Sequence, residues 1–382
     1  MTTSSPSTAP TPPSPLAMHT SKIAGVTLAV FLGAGLLSCG WLVAKGSFSL
    51  LPEKPMSDDA VIHGEITHRI AKELANAPLP LQAANLERAG SWLVFADTGP
   101  RVRQGCPGWL FLADEFKLNR HAQDNAKAKA EAVVALQQSL KKRGIELLVS
   151  VVPDKSRIAA SQLCALYRPV SLEARVQDWT AGLKAAGVAT LDLAPAVRPL
   201  GAEAYLRTDT HWSEAGAKAA AGAIAGQVKA LGIAATPQKG FDVSQEPKAV
   251  RPGDLVRLAG LDWLPLHLQP ATEEVAPSKI SEHVAEASTG GDSLDDLFGD
   301  DNLPNVALIG TSFSRNSNFA GFLQQSLGAV IGNFAKDGGE FSGAAKAYFE
   351  SPAFTQTPPK LVIWEIPERD LQTVYAGDVK LD

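Results

Sequence analysis

Apolar and polar positions change rhythm along this chain, and each change marks a different kind of segment. Ile23 to Ala44 is apolar almost without interruption and carries no charge. As a helix rising about 1.5 Å per residue it spans roughly 33 Å, enough for a bilayer core of about 30 Å. It has no polar face, unlike a helix lying on a soluble core. Residues 1–22 before it are rich in Ser, Thr and Pro and cannot bury a core, so a disordered tail is expected there. Residues 45–100 read as a linker with short helices, punctuated by Pro52, Pro55, Pro78 and Pro80.

From residue 101 onward the pattern alternates. Trp109-Leu110-Phe111-Leu112 suits a short strand, and Ala122–Arg143 carries Val133, Leu136 and Leu140 at helical spacing before Gly144. Ile145–Val152 reads as strand, Leu172–Ala186 as helix and Val188–Leu193 as strand. Ser213 can cap an alanine-rich helix running to about Leu231. Val306–Ile309 reads as strand, Asn316–Leu327 as helix, and Ala329–Phe334 and Leu361–Ile366 as further strands. Apolar strands separated by helices imply a mostly parallel sheet covered on both faces, a three-layer α/β/α sandwich. Residues 236–304 break the rhythm and read as an insertion. Gly253-Asp254-Leu255 through Trp263 is expected to form short strands, and Glu273–Asp301 is expected to be largely mobile.

Composition changes the picture in two places. The 382 residues carry a net charge of −5 with acids and bases well mixed, which offers nothing to neutralise nucleic-acid phosphates. The three cysteines divide into Cys39 inside the apolar span and the pair Cys106 and Cys164 outside it. If residues 23–44 are a signal anchor and the rest is exported, an oxidising compartment permits a Cys106–Cys164 disulfide. Leu36-Leu37-Ser38-Cys39 has the outline of a lipoprotein cleavage box, but the apolar run continues through Trp41, Leu42 and Val43, which favours an uncleaved anchor.

Two motifs carry candidate chemistry. Asn305 to Asn316 places a buried strand before Gly310-Thr311-Ser312 and then a helix, a turn that puts a serine at the carboxyl end of a parallel strand and near helix N–H groups. Taken alone, such a serine serves equally well as a helix cap. Asp209-Thr210-His211-Trp212, just before the Ser213 helix, can form a carboxylate–imidazole pair within one loop. Asp-x-His also suits half of a metal site, but no second cluster of ligands accompanies it, and neither metal nor cofactor is expected. Together the motifs supply a nucleophile (Ser312), a base (His211) and an orienting acid (Asp209). Gly291-Asp292-Ser293 spells another serine-hydrolase signature, but no apolar strand precedes it and acids surround it, so it reads as a solvated loop.

Weaker candidates follow the same logic. Lys155 trails a buried strand and can reach the same rim or serve as an ordinary salt-bridged surface lysine; Arg315, Asn316 and Asn318 can bind substrate or an oxyanion or be the usual polar residues of a first helical turn; Trp109 and Trp212 can stack on a sugar or pack in the core. Glu365, Arg369 and Asp370 after the last strand are expected to form structural ion pairs.

Asp209-Thr210-His211-Trp212 followed by Gly310-Thr311-Ser312-Phe313-Ser314 resembles the alginate O-acetyltransferase family (AlgX/AlgJ-like proteins). The resemblance extends to Gly105–Phe111, Val152–Lys155 and Trp364–Leu371, and covers roughly residues 100–375. It implies an SGNH-hydrolase-like domain over residues 101–382, with Ser312, His211 and Asp209 as its triad. It also implies acetyl transfer to an exopolysaccharide, a membrane-bound acyltransferase of the MBOAT type as acetyl source, and a domain anchored at the inner membrane and facing the periplasm. An acetylesterase with the same triad, or a non-catalytic scaffold of a polysaccharide-assembly complex, are the alternatives.

Overall fold

The computed structural model describes residues 21–45, 62, 64–283 and 303–381. The chain divides into two units, residues 1–87 and 88–382. In the first, α1 (Lys22–Ala44) is capped by the Ser21 hydroxyl, which accepts from the Ala24 amide at 3.3 Å. This helix is long and apolar enough to cross a membrane. The amphipathic α2 (Glu65–Asn76) follows, and α3 (Pro78–Phe95) spans the boundary. Of the prolines read as linker punctuation, Pro78 and Pro80 stand in the first turn of α3, where the missing N–H has no intrahelical acceptor to lose, and Pro52 and Pro55 lie outside the described residues.

The second unit is built on a parallel sheet. Its strands are β3 (Glu146–Val152), β4 (Ala189–Asp192), β9 (Val306–Ile309), β10 (Gly332–Asn333) and β11 (Leu361–Pro367), in the spatial order β10-β9-β11-β3-β4. The last strand in sequence thus lies in the middle. Smaller antiparallel pairs join β1 (Val102–Gln104) with β2 (Leu110–Leu112), β5 (Phe241–Gln245) with β8 (Ser278–Glu282), and β6 (Ala249–Arg251) with β7 (Glu273–Val275).

Strand residues alternate between the two faces, and both faces are covered. Leu148, Val152, Val306, Leu308, Leu361 and Ile363 pack against α6 (Glu214–Ala230) and α8 (Phe319–Leu327). Leu147, Val149, Val151, Ile309, Val362 and Trp364 pack against α4 (Ala122–Lys142), α5 (Arg175–Ala185) and α9 (Gly343–Phe349). Full burial of each such side chain contributes roughly 1.5–3 kcal/mol. The alanines of α6 let it approach closely: Ala217, Ala220 and Ala221 are fully buried. This is the expected α/β/α sandwich.

Several boundaries differ from expectation. The segment Ala329–Phe334 pairs only at Gly332–Asn333, and α8 starts at Phe319 because Ser312–Ser314 form a separate 3₁₀ turn. Gly253–Trp263 is not strand: α7 (Asp254–Leu258) occupies it, and the nearby strands are β6, β7 and β8. The Glu273–Val275 and Ser278–Glu282 parts of the stretch expected to be mobile are ordered strands. Its remainder, with Gly291-Asp292-Ser293, lies largely outside the described residues.

Cys106 and Cys164 are joined as a disulfide, 58 residues apart in sequence. It fastens the turn before β2 to the segment after β3, where the Cys106 amide also donates to the Gln162 carbonyl at 2.8 Å. Closing a loop of that length limits the unfolded chain, and Cys106→Ser or Cys164→Ser is expected to cost about 2–4 kcal/mol in denaturant unfolding. Equal stability of reduced and oxidised wild-type protein would argue against this role.

Candidate active site

Strands β9, β11 and β3 run parallel, so their carboxyl ends open on one edge of the sheet, where ligands of such folds bind. Gly310 ends β9. A β-carbon there would stand 2.5 Å from the Glu365 carboxylate, so the turn needs a glycine. Ser312 follows at the start of the 3₁₀ turn rather than at an α-helix N-terminus.

Across the cleft, the Ser312 hydroxyl lies 2.6 Å from His211 Nε2. On the other side of the ring, His211 Nδ1 lies 2.6 Å from Asp209 Oδ1, which also accepts from the His211 amide at 3.0 Å. The imidazole is buried, with Phe313 edge-on at 5.1 Å. Burial pushes the Asp209 carboxyl up, but the hydrogen bond from the His211 side chain and the facing positive charges outweigh it, and the group is held down to about 2.

The insertion supplies residues that sequence patterning missed. Its backbone closes on the Asp209 loop at Gly253, where a β-carbon would meet the Thr208 carbonyl oxygen at 1.9 Å. That docking brings Asp254 Oδ2 to 3.7 Å from His211 Nδ1. Asp254 Oδ1 accepts from the Thr210 amide at 2.7 Å and its hydroxyl at 3.0 Å. Burial and the Asp209 charge raise the Asp254 carboxyl. Arg251 Nη2 lies 3.6 Å from Asp209 Oδ2 and donates to Asn316 Oδ1 at 3.2 Å. Glu273 accepts from the Thr208 amide and so pins the same loop. Only adjacency to Gly253 in sequence hinted at Asp254; nothing in its surroundings marked it as a site residue.

The other expected site residues part company. Asn316 stays at the site: its Nδ2 donates to the Ser312 carbonyl at 2.9 Å and lies 3.5 Å from His211 Nε2. Trp212 is 1% exposed, stacked on Phe319 at 4.7 Å, and is therefore a core residue and not a sugar platform. Trp109 is likewise packed, against Phe111. Arg315 is exposed and faces Asp337 at 3.6 Å, a residue on the border of the His211 cleft. Asn318 ties Glu214 to the Ser278 carbonyl, both at 2.6 Å.

Lys155 does not reach the rim. It is fully buried, donating to the carbonyls of Leu110 (2.6 Å), Arg207 (2.9 Å) and Asp209 (3.0 Å), and burial lowers its pKa to about 8. Glu365 is not part of an ion pair. It accepts from the Thr311 amide (2.7 Å), the Thr311 hydroxyl (3.1 Å) and the Ser314 hydroxyl (3.0 Å), and burial raises its pKa. Asp370 is held through its carbonyl by Lys129.

Asp209, His211 and Asp254 bring possible metal-ligand atoms within 4.8 Å of one another. In this arrangement His211 Nδ1 is engaged by Asp209, and Asp254 by Thr210. A cation there would have to take these atoms out of their hydrogen bonds.

A parallel α/β/α sandwich with a serine after one strand and an Asp-x-His loop facing it is an SGNH-hydrolase-like domain. The family model for the SGNH hydrolase-like domain of the acetyltransferase AlgX matches residues 102–368, and this chain belongs to that acetyltransferase family. It is 32% identical over 356 residues to the probable alginate O-acetylase AlgJ of Pseudomonas aeruginosa, covering 90% of this chain and 88% of that protein. Among solved structures, the O-acetyltransferase domain of Pseudomonas putida AlgJ superposes with a TM-score of 0.61 at 28% identity, covering 74% of this chain and 94% of that one. Pseudomonas aeruginosa AlgX superposes with a TM-score of 0.52 at 27% identity, over 70% of this chain and 62% of that one.

The depressed Asp209 value sets a pH signature. Its folded pKa lies below the unfolded one, so the ionised carboxylate contributes its stability in full above about pH 4 and loses it as pH falls towards about 2. The difference in melting temperature between wild type and Asp209→Asn is expected to be constant near neutrality and to shrink over that window. A difference that does not change down to about pH 2 would contradict the pairing with His211.

Proposed function

We propose that Ser312, His211 and Asp209 act as a nucleophilic triad that transfers acetyl groups to hydroxyls of an exported acidic polysaccharide, alginate or a close relative. The observation that carries this reading is the unbroken line of two 2.6 Å contacts from Asp209 through His211 to Ser312. The names of the AlgJ relatives supply the acceptor. The line opens on a cleft of about 660 Å3 that Arg101, Arg257 and Asn316 also border.

In the first half-reaction His211 Nε2 takes the Ser312 proton as Oγ bonds to the acetyl carbon of the donor. The bond from that carbon to the donor's leaving oxygen or sulfur breaks, and His211 returns the proton to it. In the second half, an acceptor hydroxyl gives its proton to Nε2 and bonds to the acetyl carbon. The carbon–Oγ bond breaks, and Ser312 regains the proton. Asp209 holds the tautomer and stabilises the imidazolium. In this reading Asn316 Nδ2, which has a second N–H beyond the one given to the Ser312 carbonyl, donates to the oxyanion formed in each half.

In this reading residues 101–382 form the catalytic domain, α1 anchors it at the inner membrane, and the domain faces the periplasm. An MBOAT-type membrane protein would deliver the acetyl group. The apolar α1, uncharged from Ile23 to Ala44, and the disulfide support the placement.

Ser312→Ala and His211→Ala are each expected to lower turnover of an acetyl-ester substrate by about three orders of magnitude or more, with the double variant little worse, because the residues act as a unit. Mass spectrometry of protein trapped during turnover should place the acetyl group on Ser312. Substantial activity in His211→Ala, or a label on another serine, would end the triad assignment. Ester hydrolysis without transfer to any oligosaccharide would identify an esterase instead.

A further inference from the structure

Two clefts meet at the nucleophile. One, of about 660 Å3, holds His211 and Asn316; the other, of about 390 Å3, lies beyond Ser312 and includes Lys117 and Asn119. Ser312, Gly338 and Arg369 border both. Arg369 follows β11 and is half-buried, with its guanidinium 5.4 Å from the ring centroid of Phe313, the residue after Ser312. Its sequence context suggested a structural ion pair; among the described residues no hydrogen bond or close ion pair holds its guanidinium, and the more distant charges of Asp370, Glu115, Asp154 and Glu365 only raise its pKa. Glu365, which could have paired with it, is committed to Thr311 and Ser314.

A guanidinium is always charged, presents five donors in a planar fork, and is costly to desolvate without an acceptor. Arg101 and Arg257 in the first cleft are exposed and also lack protein partners among the described residues. Most acids of that cleft are engaged: Asp209 by His211, Asp254 by Thr210 and Asp337 near Arg315. Asp262 is the remaining one. The cleft therefore offers its unengaged donors to an anionic ligand, and Arg369 is the one beside the reacting atom.

We propose that Arg369 binds the carboxylate of the sugar unit being acylated and so selects uronate over neutral acceptors. The inference rests on the acetyl-transfer reading above. The accepting hydroxyl must reach His211 Nε2, and the carboxylate of the same unit then lies across Ser312, where the fork can take both of its oxygens. Neighbouring units then extend into the larger cleft, towards Arg257, because the smaller one carries Asp114, Glu340 and Asp370 beside Lys117 and opposes a polyanion.

The test uses the full-length protein in detergent, a soluble acetyl-ester donor, and two acceptors: a uronate oligosaccharide and the same oligosaccharide with its carboxylates converted to methyl amides. Wild type should prefer the uronate in kcat/KM. Arg369→Met should cut the uronate-to-amide ratio by about ten- to a hundredfold, the loss of a charge-assisted hydrogen bond. Arg369→Lys, which keeps the charge without the fork, should recover part of the ratio. An unchanged ratio in either variant would overturn the proposal; if Arg369→Met does not fold, Arg369→Lys alone decides it. Equal losses with both acceptors and in hydrolysis of the donor would also overturn it, pointing to oxyanion stabilisation. Wild type that hydrolyses the donor yet acetylates neither acceptor would instead refute the acetyl-transfer reading, and this inference with it.

Discussion

The contact between His211 Nε2 and Ser312 Oγ joins two loops 101 residues apart, and most of what surrounds it serves to keep those loops in register. Each loop is held by a buried ionisable side chain that has given up any ion pair of its own. Glu365, on the central strand β11, accepts from Thr311 and Ser314 on either side of Ser312. Lys155, just beyond the neighbouring strand β3, donates to the Asp209 carbonyl and to two others. In a low-dielectric interior such bonds are strong, and leaving one unmade costs roughly 1–3 kcal/mol, so alternative loop positions are penalised. Since β3 and β11 are paired over seven residues, the two anchors share one rigid base.

A second buried network fixes where those strands end. Glu368 accepts from Arg157 at 2.8 Å and from Arg168 and Arg175 at 2.7 and 2.9 Å, and its second oxygen accepts from the Asp154 amide at 2.9 Å. Burial alone would raise its pKa, but the surrounding guanidinium groups hold it down to about 2. Asp154 moves the other way, raised by burial and by the Glu368 charge. Such buried ion pairs add little net stability compared with apolar packing. Here they join the turns that leave β3 and β11, the same turns that carry Lys155 and Arg369.

The insertion changes meaning once folded. In sequence it is the least patterned part of the chain. In space its β6–α7 stretch delivers Arg251 and Asp254 against the Asp209–His211 pair, and its Glu273 holds Thr208. It surrounds the acid–base pair with charge of both signs, so the surroundings of the imidazole depend on residues from either side of the insertion.

The sequence by itself determined the sandwich, because runs such as Leu147–Val152 and Leu361–Ile366 can only be strands buried on both faces, and such strands need helices above and below. It also marked Ser312, His211 and Asp209, since a Gly-x-Ser turn and an Asp-x-His loop are local patterns legible within a few residues. The Cys106–Cys164 pair followed from the even count outside the apolar span together with the exported placement that this span implies. Tertiary structure decided the rest, for one reason: partners distant in sequence leave no periodic trace. Lys155 read as a residue of the rim, but it meets carbonyls 45 to 54 residues away and becomes a buried clamp. Trp212 read as either a sugar platform or a core residue, and only its contacts with Phe313 and Phe319 decide for the core. Arg369 read as one half of an ion pair, yet folding commits Glu365 to Thr311 and Ser314 and leaves Arg369 on the border of the Ser312 clefts.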